Sequence, residues 1–248
     1  LCRLAETHPE ICSGRWLCIL NSIFKSKTTL SLNFGSNFDS NELQSIVEVV
    51  IALTPLPYDF IATLVAANMN RFAIIWDLLN PFFKFNIKEQ QFDENVLNLL
   101  LELMSRSITE KNEEAILSMA SEFVSQTSSL NVSNKTRILH QLRQFLAEKV
   151  NVVKKGWNSI FIILKPSNFS NNVETIQFSF GILTLLCNDY IHLVPQDSMK
   201  PLFDIIFQFA DSEADINLSL SSFDLLWGVV RVMQNSTENW KYLMSEVL

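Results

Sequence analysis

Apolar residues recur at spacings of three and four along almost the whole chain, a period that commits it to amphipathic helices. Trp16, Ile19, Leu20 and Ile23 form one such set, Leu43, Ile46, Val47 and Val50 a second, and Leu202, Ile205, Ile206 and Phe209 a third. Five Gly and seven Pro in 248 residues leave few positions for the tight turns of an all-β fold or for phosphate-cradling loops. The expected fold is all-α, with about eleven to thirteen helices interrupted near 26–38, 84–92, 127–133, 165–171 and 190–198. Helix starts are expected at Asp39-Ser40, Asp93, Ser133 and Asp215, and prolines 55, 57, 81, 166, 195 and 201 are expected to begin or end helices. The longest gap, 26–38, reads as a surface loop, with a short alternating stretch from Thr28 to Phe34.

The segment from Asp215 to Met233 carries more apolar surface than one helix pair can bury. Ile216, Leu220, Phe223, Trp227 and Val230 make one stripe, and Leu218, Leu225, Val229 and Val232 make another. Two buried faces are expected, one against each neighbouring layer of a helical stack, with Asn217, Ser221, Asp224, Gly228 and Arg231 left as a narrow polar ridge. Loss of a neighbouring helix would instead leave Leu218, Leu225 and Val229 as an exposed groove. Trp157 and Trp227 both lie on apolar stripes and are expected in the core. Aromatic-led helices beginning near Trp16, Phe72, Trp157 and Leu202 repeat at intervals that fit HEAT or armadillo units. The reading is therefore one continuous α-solenoid region, 1–248, cut from a longer protein.

Charge and chemistry exclude several functions. A net charge of −7 argues against a sequence-independent grip on nucleic acid, which needs Lys and Arg on phosphates. No apolar run reaches the roughly 18–20 residues that cross a bilayer. Cys2, Cys12, Cys18 and Cys187 occupy scattered apolar positions without a Cys-x-x-Cys pair, as packing thiols of a reducing compartment do. His8, His140 and His192 stand far apart and away from metal-ligand spacing, and no nucleophile elbow is present, so no metal, cofactor or catalytic residue is expected. Glu110, Glu113 and Glu114 open a helix and read as charges at the positive end of its dipole. Asn-x-Ser/Thr triplets at Asn131, Asn134, Asn168, Asn217 and Asn235 would matter only after secretion.

Gly156-Trp157 with Ile160-Phe161 and Leu164, then Phe178 and Phe180, then Asp215-Ile-Asn-Leu-Ser-Leu-Ser-Ser-Phe-Asp-Leu-Leu-Trp227, resembles the Mon-two family of large Golgi and endosomal scaffolds. The resemblance is best over 154–248. Those proteins are similar to the large Sec-seven-type Arf exchange factors but lack the exchange domain. The resemblance implies a cytoplasmic protein held peripherally on trans-Golgi network and endosome membranes. It also implies three partners: a Dopey-type protein, an Arf-like small GTPase and an aminophospholipid flippase.

The expected function is a non-catalytic scaffold segment in endosome-to-Golgi traffic that binds protein partners along an extended helical surface. The candidate partner surface is the ridge of Asn217, Ser221, Asp224 and Arg231; caps and local hydrogen bonds would give the same stripe. Lys154 and Lys155 are candidates for contact with a membrane or an acidic partner, against the reading of a solvated helix end. Two alternatives stay open: a regulatory helical module of a large Arf exchange factor, and a transport-receptor solenoid.

Overall fold

A computed structural model describes residues 40–52, 55–88, 93–126, 131–169, 172–211 and 215–233. Backbone packing divides the chain into two compact units, Leu1–Ser107 and Ile108–Leu248. All regular structure among the described residues is helical. The loop at 26–38, the first helix around Trp16, His8 and three of the cysteines lie outside the described residues.

In the first unit, α1 (Ser40–Ile51) packs on α3 (Phe72–Lys88), and α2 (Tyr58–Ala67) packs on α4 (Glu94–Arg106). Each helix thus meets the second helix along the chain, the arrangement that stacked helix pairs require. Asn68 fixes the corner after α2: its buried amide donates to the Leu64 carbonyl at 2.8 Å and its Oδ1 accepts from Arg71 Nη2 at 2.6 Å. Asp93 caps α4 as expected, accepting from the Asn95 amide at 2.9 Å. The interruption expected at 84–92 starts later, because α3 runs through Pro81 to Lys88. Pro81 and Asp77, whose carbonyl loses its partner, are both exposed, so water can satisfy that oxygen. The buried stripe Phe72, Ile75, Leu79, Phe83 and Ile87 continues past the proline on the opposite side and holds the helix together.

The second unit contains α5 (Glu113–Gln126), α6 (Val132–Lys149), α7 (Trp157–Leu164), α8 (Val173–Asp189), α9 (Met199–Ala210) and α10 (Ile216–Met233). One layer stacks α5, α7 and α9; the other stacks α6, α8 and α10; and α9 also packs along α10. Within this unit the helices therefore form a two-layer α-solenoid. Polar side chains pin the layers at helix ends. Thr136 Oγ1 lies 3.2 Å from Thr175 Oγ1 between α6 and α8, and Ser179 Oγ donates to the Leu164 carbonyl at 2.8 Å between α8 and α7. Lys135 Nζ donates to the Asn168 carbonyl at 2.8 Å, while Asn168 Nδ2 donates to the Ile162 carbonyl at 2.7 Å. Burial holds the Lys135 ammonium below the ordinary lysine range.

The start of α6 differs from the expected Ser133. Asn131 is the cap, accepting from the Asn134 amide at 2.8 Å, and Ser133 lies inside the first turn. Either residue type can cap, and the choice goes to the one whose backbone is extended. Pro201 sits in the first turn of α9, where its missing N–H costs nothing. Cys187 is buried, which pushes its thiol up to about 12 and leaves it an inert packing group.

Gly181 in α8 and Gly228 in α10 are exposed, and a Cβ added to either would meet nothing within 4 Å. Each therefore carries the helix cost of glycine without a packing reason. Gly181→Ala and Gly228→Ala are expected to stabilise the protein by about 0.5–1 kcal/mol each, measured as a higher urea midpoint at unchanged slope.

Candidate functional site

The junction between α5 and α7 is built around one buried carboxylate. Glu113 is 2% exposed. Its Oε1 accepts from the amides of Lys154 at 3.2 Å and Lys155 at 2.8 Å, and its Oε2 accepts from the Gly156 amide at 2.9 Å. The expectation placed Glu113 at the dipole of its own helix; the side chain instead caps α7, 43 residues along the chain from it at Gly156. Gly156 is required there, because a Cβ would collide with Glu113 Oε2 and stand 2.6 Å from Leu117 Cδ1. Behind the cap, Trp157 is fully buried, its ring centroid 6.4 Å from that of Phe161.

The two lysines of this junction remain exposed, but each has an acid beside it. Lys154 Nζ lies 3.8 Å from Glu110 Oε1, and Lys155 Nζ lies 3.9 Å from Glu114 Oε2. These are solvent-exposed pairs and contribute little to stability. They do reduce the local positive field that Lys154 and Lys155 would present to an acidic surface.

The last described helix, α10, presents the broadest open face. Asp215 starts it, its Oδ1 accepting from the Asn217 amide at 2.9 Å and its Oδ2 from Gln177 Nε2 of α8 at 2.8 Å. The Asn217 amide, then Gln177, hold its carboxyl below the ordinary aspartate range, so it is ionised at neutral pH. Ser219 Oγ bonds the Ala210 carbonyl at the end of α9, and Ser222 Oγ bonds the Leu218 carbonyl within α10.

The stripes of α10 separate differently from the expectation of two buried faces. Leu218, Ser222, Leu225 and Val229 are buried where α10 meets α8 and α9. That corrects the reading of Leu218, Leu225 and Val229 as an exposed groove. Ile216 (76% exposed), Leu220 (61%), Phe223 (49%) and Trp227 (62%) point away from the core, and Val232 is also exposed. Trp227 is thus a surface side chain, whereas Trp157 is core as expected. The physical reason is that helical spacing fixes which residues share a face and says nothing about whether another helix covers it. Asn217, Ser221, Asp224 and Arg231 are all exposed and flank the apolar stripe. The face is therefore mixed: aromatic and aliphatic groups along its centre, an amide, a hydroxyl, a carboxylate and a guanidinium along one edge.

His140 packs its ring 4.4 Å from that of Phe178 rather than toward another ligand, and His192 is exposed on a separate short turn. Among the described residues no group of His, Cys, Asp and Glu side chains could hold a metal ion, and no helix is long and apolar enough to cross a membrane. Asn131, Asn134 and Asn168 are engaged as a cap, a buried amide and a turn clamp, which accounts for three of the Asn-x-Ser/Thr triplets structurally.

Residues 121–185 match the family described as Mon2/Sec7/BIG1-like, HDS. The matched stretch runs from the middle of α5 into α8 and so contains α6, α7 and the capped Gly156-Trp157 junction. The chain is also similar to the brefeldin A-inhibited guanine nucleotide-exchange protein 2 of Arabidopsis thaliana. The two are 23% identical over 172 residues, which covers 64% of this chain and 10% of that protein. The chain therefore spans about a tenth of that relative's length. No solved structure matches it. Over residues 121–185 the chain is thus similar to the HDS region of Mon2/Sec7/BIG1-like proteins.

Proposed function

We propose that this chain is part of a Mon2/Sec7-like protein and serves there as a non-catalytic scaffold module of endosome-to-Golgi vesicle traffic. In this reading residues 1–248 serve as one continuous helical-repeat region of HEAT or armadillo type, and protein partners bind along its exposed helices. The observation that carries the reading is the mixed face of α10, where an uncovered aromatic and aliphatic stripe runs beside Asn217, Ser221, Asp224 and Arg231. Exposed patches of this kind on a rigid helix mark interaction sites, with aromatic groups as anchors and polar groups as selectors. An Arf-like small GTPase is the partner class best supported, because the Arabidopsis relative is named as a guanine nucleotide-exchange protein. A Dopey-type protein and an aminophospholipid flippase follow from the family resemblance alone. The whole protein acts in the cytoplasm, peripherally on trans-Golgi network and endosome membranes.

The variant Asn217→Ala, Asp224→Lys, Arg231→Glu tests the ridge in affinity capture from cytosol. It should keep its helicity and melting temperature and lose the Arf-like GTPase or the Dopey-type protein. Undiminished capture of both would return the ridge to capping and solvation.

A second reading rests on the same relative: a regulatory helical module of an Arf exchange factor, which contacts the GTPase or the membrane through Lys154 and Lys155. Charge reversal at both lysines would then abolish membrane recruitment while protein partners are retained.

A further inference from the structure

We propose, building on the partner surface assigned to α10, that its occupant is a single amphipathic helix of a partner protein, seated along α10 as in a short two-stranded coiled coil. Spacing is the first observation. Ile216, Leu220, Phe223, Trp227 and Val230 follow one another at four, three, four and three residues, the seam of a heptad repeat. The first four are exposed, and Val230 is half-buried. Over this length a straight helix drifts only about 40° from such a seam, so the side chains form one continuous ridge about 21 Å long. The opposite side of α10 shows what this spacing packs against in this fold. Leu218, Ser222, Leu225 and Val229, at four, three and four residues, are buried where α10 meets the helices α8 and α9.

Charge on the flank is the second observation. Asn217, Asp224 and Arg231 recur every seven residues, each directly after a seam residue, and all three are exposed. In a coiled coil this flanking position faces the partner helix and selects it by charge. α10 therefore calls for a base opposite Asp224 and an acid opposite Arg231, one heptad apart. A second copy of the chain does not meet that demand. The antiparallel register that stacks Leu220 on Val230 and Phe223 on Trp227 sets Asp224 against its own counterpart. The antiparallel register that pairs Asp224 with Arg231 carries Leu220 and Phe223 past the end of the helix at Met233. A parallel copy sets Asp224 and Arg231 against the uncharged Ser219 and Leu226 of its other flank. The chemistry also disfavours a membrane. Lipid surfaces are read by clusters of roughly four to eight cations, whereas this face sets Arg231 beside Asp224 on one edge.

The experiment titrates the whole chain into two fluorescein-labelled helical peptides of about three heptads, each with Leu at both seam positions and each at tracer concentration. One carries Glu on the flanks of its N-terminal half and Lys on those of its C-terminal half; the other carries them in the reverse order. Fluorescence anisotropy should show the wild type binding one of them, whichever order its orientation requires, about five- to tenfold more tightly than the other. Asp224→Arg combined with Arg231→Asp should reverse that preference. Trp227→Ala should weaken both by about tenfold or more at a nearly unchanged melting temperature. No binding of either peptide, equal binding of both, or a preference that survives the charge exchange would each overturn the proposal. Self-association of the wild type in sedimentation velocity that Trp227→Ala abolishes would overturn it in favour of a second copy. Binding of phosphatidylserine vesicles in place of the peptides would overturn it in favour of a lipid surface. Ridge-dependent capture from cytosol without peptide binding would end the helix alone, whereas a reversible peptide preference without ridge-dependent capture would uphold the helix and end the scaffold reading.

Discussion

Replacing Glu113 by Ala is expected to cost about 2–4 kcal/mol, because three backbone N–H groups lose their acceptor, the Gly156 amide in buried surroundings and those of Lys154 and Lys155 in part-buried ones. Those groups belong to Lys154, Lys155 and Gly156, and no other residue type at position 113 can reach all three with two oxygens except a carboxylate of that length. Glu113→Gln would present an N–H to one of those donors and should cost about half as much. Gly156→Ala attacks the same junction by crowding Glu113 Oε2 and Leu117 Cδ1, with an expected cost of about 2–3 kcal/mol. Combining Gly156→Ala with Glu113→Ala removes the first of those collisions, so the double variant should be more stable than the sum predicts by about 1 kcal/mol or more. Urea denaturation followed by circular dichroism reads all four variants. A Glu113→Ala cost within experimental error would show that the cap does not hold α7 in place.

The two tryptophans give the second large effect. Trp157→Ala should destabilise by about 3–5 kcal/mol, since it empties the largest fully buried side chain among the described residues. Trp227→Ala should change stability by no more than about 0.5 kcal/mol, because its ring already faces water. Thermal melts of the two variants decide it: comparable losses would mean that the outward face of α10 is covered and that the surface described for it does not exist.

Helical class, most breaks and the capping residues Asp93 and Asp215 were legible in the sequence because they depend on local chemistry: a period of 3.6 residues, a side chain that accepts from the next amides, a proline that cannot donate. The stripes of α10 were also legible as stripes. Which one is buried was not, because Leu218-Leu225-Val229 and Ile216-Leu220-Phe223-Trp227 differ only in what packs against them. The long-range cap escaped for a related reason. A glutamate at the first turn of α5 is already satisfied, locally, as a charge on a dipole, and nothing in its neighbours points to an amide 43 residues away. The missed signal was Gly156 itself, one of only five glycines, standing immediately before an apolar helix with no cap of its own. Asn217, Ser221, Asp224 and Arg231 share one edge of α10 because of their helical spacing; their exposure is seen only in the structure, and their partner is left to experiment.

The central claim is that the outward face of α10 is a surface for protein partners. Its most direct test is a titration of the chain with purified Arf-like GTPase, loaded with a non-hydrolysable GTP analogue or with GDP, read by hydrogen exchange along α10. The account predicts protection of the α10 amides by the GTP form, weaker protection by the GDP form, and none in the Asn217→Ala, Asp224→Lys, Arg231→Glu variant. Unchanged exchange along α10 at saturating GTPase, or equal protection in the variant, would contradict it.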